Sequence, residues 1–112
     1  MEPNADIRDL KKFLRARIDE LRTAEEAAAQ SGNVEAFRAI GNQILEVEHR
    51  IRMLGRVEFA SSTAALKAKL EPINAARGEL QKAIDEVEKL KAFVKTVSKF
   101  LGLVDKLIDL LA

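Results

Sequence analysis

The chain contains no cysteine, no tryptophan and no tyrosine, and a single histidine among its 112 residues. Without a thiol, disulfide stapling, thiolate catalysis and cysteine-ligated zinc are all excluded. With one histidine, a Ser–His–Asp arrangement would need His49 buried beside a serine. Three of the four serines, Ser31, Ser61 and Ser62, sit where helix boundaries are expected and capping accounts for them. The missing Tyr and Trp leave five phenylalanines as the only stacking platforms for single-stranded nucleic acid. Charge of one sign is missing too. Nineteen Lys and Arg against eighteen Asp and Glu give a net charge of +1, with no polybasic arm and no acidic tail. Nucleic acid is not an expected partner.

Glycine and proline are sparse as well. The five glycines stand singly, so no glycine-rich phosphate-cradling pattern occurs. No stretch approaches the ~18 uncharged apolar residues of a membrane-spanning helix. The opening "MEPNADIRDLKK" lacks the apolar run of a secretory signal, so a cytoplasmic protein is the expectation. No cofactor is implied by any motif.

What the chain does have is apolar residues recurring at steps of three and four, which predicts an all-α protein in one domain, 1–112. The first stripe is Ile7, Leu10, Leu14, Ile18, Leu21, Ala24 and Ala28, over a helix at 6–30 with Asn4 or Asp6 as its cap. "QSGN" closes it: Gly32 suits the left-handed closing residue and Asn33 the next cap. So short a link predicts an antiparallel hairpin with a second helix at 34–58. That helix carries Phe37, Ile40, Ile44, Val47, Ile51 and Leu54, the spacing of a packing seam.

"SST" at 61–63 caps a third stretch, 63–111, that reads as a long helix kinked or broken near 72–78, and as a candidate for a second break at Gly102. Pro72 disturbs it, but the stripe keeps its phase through Leu66, Leu70, Ile73, Leu80, Ile84 and Val87, so a kink is favoured over a loop. "DEVEKLK" at 85–91 contains no breaker, although the stripe takes two successive steps of three around Val87. The expected fold is therefore an antiparallel helical bundle of three to four helices, a helical hairpin packed against a long or kinked C-terminal helix. Either the chain turns at Gly78 to give four compact helices, or its last twenty residues overhang.

The terminal segment poses the functional question. On a helical wheel its apolar residues fill an arc of about 200°, enough to touch two or three helices. Folding back onto its own bundle is one reading, and contact with another chain or with lipid are the others. The functional expectation is a non-enzymatic protein–protein interaction or assembly module. Its self-association or partner surface would be Phe93, Val97, Phe100, Leu101, Val104, Leu107, Ile108 and Leu111. A homo-oligomer or a helical protein partner would occupy it. The alternative is a membrane-active protein whose amphipathic C-terminal helix lies on a lipid surface, with Lys91, Lys95, Lys99 and Lys106 at the headgroups. Asp105 and Asp109 on the same polar face, and the lack of Trp and Tyr, weigh against it.

Three smaller patterns complete the reading. Glu46 and His49 form the Glu-x-x-His spacing of di-metal bundles, but both project away from the seam, so no metal site is expected. Arg8, Lys11, Arg15 and Arg22 share one flank of helix 1. They read as stems covering the core edge, with an acidic-partner strip as the alternative. Arg77 falls on the apolar seam, where a kink opening to water is favoured over a buried pairing with a glutamate.

Overall fold

The computed structural model describes residues 2–112. Five helices run along them: α1 Ala5–Gln30, α2 Val34–Arg56, α3 Ala64–Ala75, α4 Arg77–Asp85 and α5 Leu90–Leu111. No strand occurs among the described residues, and the chain is an all-α helical bundle.

The helix starts follow from side-chain oxygens that accept free first-turn amides. Asn4 accepts from Asp6 and Ile7, Asn33 from Ala36, and Thr63 from Leu66. Gly32, at φ 74°, takes the left-handed conformation that turns α1 into α2. Ion pairs then fix the directions. Arg22–Glu48 and Lys11–Glu58 show α1 and α2 antiparallel. Arg50–Asp105 and the shared surface of Ala39 with Leu90 and Val94 show α2 and α5 parallel. α1 packs on α2, α2 on α5, α5 on α3 and α4, and α4 on α1. The bundle therefore has four columns, the third split between α3 and α4, and the link 57–63 crosses diagonally beneath one end.

Two expectations about the third stretch are corrected. It is neither one long helix nor turned at Gly78, and nothing overhangs. The helix passes through Pro72 and breaks at Ala76, whose amide is shared between the carbonyls of Pro72 and Ile73. The reversal comes at residues 86–89, inside the breaker-free run, closed by the Glu86 amide donating to the Lys82 carbonyl and the Lys89 amide donating to the Glu86 carbonyl. Gly78 sits in the first turn of α4 and Gly102 lies inside unbroken α5. The physical reason is burial: Ile84 and Phe93 are both in the core, with Val87 and Leu90 packed against it, and only a reversal brings all four inward.

Candidate functional site

The expected interaction stripe is placed first. Phe93, Val97, Phe100, Leu101, Val104, Leu107 and Ile108 are all buried in the chain's own core, and Leu111 packs half-buried at its edge. As a surface for another molecule this assignment is corrected: α5 parallels α2 and is covered by α2, α3 and α4, so folding itself takes the wide apolar arc. Presenting it to lipid would require opening the bundle. No helix of the described residues is long and apolar enough to cross a membrane.

Phe37 is the second correction. It was expected in the α2 seam, yet it is 42% exposed. Opposite it α1 offers only Ala28 and Ala29, side chains too short to cover a ring. Gln43 takes part of the seam instead, with only 8% of its surface exposed and its Oε1 buried without a hydrogen-bond partner.

Three of the five large apolar side chains left in solvent lie on α2, the others being Phe59 in the 57–63 link and Leu110 in α5. Val34 is 58% and Leu45 63% exposed, and with Phe37 they flank Gly41. An open groove of about 840 Å3 runs there between α1 and α2, with Ala29, Phe37, Gly41, Ile44 and Leu45 as its apolar lining. Its charged lining is Arg22, Glu25, Glu26 and Arg38. Arg22 is paired with Glu48 at 3.2 Å, whereas Glu25, Glu26 and Arg38 take part in no ion pair among the described residues. The Glu25 carboxylate lies across Gly41, 2.8 Å from where a Cβ would stand.

A second groove of about 460 Å3 continues past Arg22, lined by Arg15, Ile18, Asp19, Glu48, Ile51 and Arg52. The four cations of the expected basic strip divide here. Lys11 pairs with Glu58 at 2.9 Å and Arg22 with Glu48, while Arg8 and Arg15 stay exposed.

Other titratable groups tie columns together. Arg50 donates to both Asp105 oxygens, at 3.0 and 2.9 Å, and also to Glu46. The Asp105 hydrogen bonds hold its guanidinium above its ordinary range against the opposing effect of burial. This occupies Glu46, and His49 is exposed, so the Glu-x-x-His pair does not converge on a common point. Arg77 departs from expectation in having a partner. It meets Asp9 at 2.8 Å, and its guanidinium lies 4.5 Å from the Phe13 ring, which Arg17 also approaches at 4.5 Å.

Comparison of the chain with models of protein families, with curated proteins and with solved structures gives no match.

Proposed function

We propose that this chain is a non-enzymatic helical interaction module, in a cytoplasmic setting, that docks a helical protein partner on the outer face of the α1–α2 hairpin. The observation that carries the reading is the groove around Gly41, where Phe37 and Leu45 stand exposed on either side of a position without a side chain. Contiguous exposed apolar area rimmed by charge is the usual mark of a protein contact. The non-enzymatic part draws on the half-buried cations: Arg50 and Arg77 each join two helices and Lys11 ties α1 to the 57–63 link, a structural task.

A photo-reactive residue in place of Leu45, in cells that make the protein, tests the reading. A protein adduct is expected at that position, lost when Phe37→Glu is added and absent when the same probe replaces exposed Leu110. No adduct at position 45, or equal adducts at both positions, refutes it.

A further inference from the structure

We propose that the occupant of this face is an acidic amphipathic helix of another protein, seated with its apolar stripe along the α1–α2 seam and its carboxylates over Arg15 and Arg52. The inference rests on the docking reading above and adds the partner's chemistry.

The two grooves share Arg22 as a wall residue and so form one trough along the seam. On α1 it runs from Arg15 to Ala29, about 21 Å at 1.5 Å per residue, close to four helical turns. Apolar side chains are spread along that length: Ile18 and Ile51 at one end, Ile44 and Leu45 in the middle, Phe37 at the other. A row of apolar positions in a concave seam suits a helix laid lengthwise. A flat lipid surface would reach only the rims.

Charge decides what kind of helix. The chain has nine arginines. Arg17, Arg22, Arg50 and Arg77 each pair with a carboxylate. The other five, Arg8, Arg15, Arg38, Arg52 and Arg56, join no ion pair among the described residues. All five are exposed, and all five belong to the α1–α2 hairpin. Arg15 and Arg52 line the second groove from opposite helices. Arg56 follows Arg52 by four residues and Arg8 precedes Arg15 by seven, spacings that keep them on the same side. The acids at this end are mostly occupied: Glu48 holds Arg22 and Glu58 holds Lys11, which leaves Asp19 as the one groove carboxylate outside an ion pair. A guanidinium presents a fork of donors that matches a carboxylate, so this end selects acidic side chains. The far end selects neither sign, because Glu25 and Glu26 stand there with Arg38.

Fluorescence anisotropy with the full chain tests this, using three labelled helical peptides of trough length. All carry the same leucine stripe, with glutamate, glutamine or lysine at the polar positions of one end. At low salt the glutamate peptide should bind about ten-fold more tightly than the glutamine peptide, with lysine weakest, and added salt should erode the difference. Arg15→Glu with Arg52→Glu should reverse the order, and Arg15→Gln with Arg52→Gln should abolish it, both at unchanged helicity. Leu45→Gln should weaken all three peptides alike. Equal binding of the glutamate and glutamine peptides, or no binding of either at several hundred micromolar, overturns the proposal. So does a preference that both arginine pairs leave intact. Arginine-dependent sedimentation with phosphatidylserine-containing vesicles, without a preference for the glutamate peptide, overturns it too and assigns these cations to lipid headgroups. If that preference is absent while the position-45 probe still gives its Phe37-dependent protein adduct, the docking reading stands and only the acidic-helix inference falls.

Discussion

The side-chain amide of Asn4 donates to the backbone carbonyl of Ala60 at 2.8 Å, joining residues 56 positions apart. The same amide reaches the Ser62 hydroxyl at 3.0 Å, while Asn4 Oδ1 caps α1. One buried side chain thus starts the first helix and holds the diagonal link that delivers the chain to α3.

Asn4→Ala removes a cap and leaves the Ala60 carbonyl without its donor. A cap contributes about 1 kcal/mol and an orphaned buried acceptor about 1–3 kcal/mol. Asn33→Ala removes only an exposed cap. Thermal unfolding followed by circular dichroism should show Asn4→Ala losing at least twice as much stability as Asn33→Ala. Equal losses would mean that the diagonal contact contributes nothing.

Gln43 predicts a gain. Its unpartnered Oε1 is buried beside Ile40, Ile44 and Val47. Gln43→Met keeps the length and removes the orphan, so urea unfolding should show stabilisation of about 1 kcal/mol. A loss of similar size would show that the amide has a partner in solution.

Arg50 and Asp105 should couple more strongly than Arg22 and Glu48. The first pair is bidentate with the Arg50 side chain 16% exposed, whereas the Arg22 side chain is 58% exposed. Double-mutant cycles should give about 1 kcal/mol for the first, already reduced for the exposed carboxylate, and under about 0.5 kcal/mol for the second. The reverse order would contradict this account of how α2 holds α5.

The 86–89 reversal carries a pH signature. The hydrogen bond from Lys89 and its charge hold the Glu86 carboxyl below the usual carboxylate range, and Glu86 in turn raises Lys89. A depressed carboxylate stabilises the fold above its unfolded pKa, and that contribution is lost as pH falls through the lowered folded value. The raised Lys89 contributes below its unfolded pKa and loses this as pH rises through the raised folded value. Carboxyl-detected NMR should show Glu86 titrating below an ordinary glutamate, with Lys89→Met returning it to the usual range. An unchanged Glu86 titration in that variant would exclude the pair as its cause.

The helical hairpin is legible in the sequence because its signals are local. Asn4, Gly32, Asn33 and Thr63 mark helix ends by chemistry that acts within one turn. The 86–89 reversal has no such marker, since its residues are Glu, Val, Glu and Lys. Its trace is the phase slip at Val87, which a continuous helix tolerates as local overwinding. The α5 stripe is visible as apolar, but what covers it depends on that reversal, so a partner surface stays open beside the core reading. The groove is harder still to see. Phe37 matches the α2 seam by spacing, and its exposure comes from the alanines of α1, a fact of pairing between helices. Arg77 meets Asp9 and Phe13 from a distant helix for the same reason.

The central claim is that the α5 stripe is core and the α2 outer face is surface. Thermal unfolding of Val104→Asp beside Leu45→Asp, both at low micromolar concentration, tests it most directly. Val104 is 0% and Leu45 63% exposed. An unpaired charge at the first should cost several kcal/mol and abolish the cooperative transition, while the second should leave the midpoint within a few degrees of wild type. A folded Val104→Asp variant, or collapse of Leu45→Asp, would contradict the account.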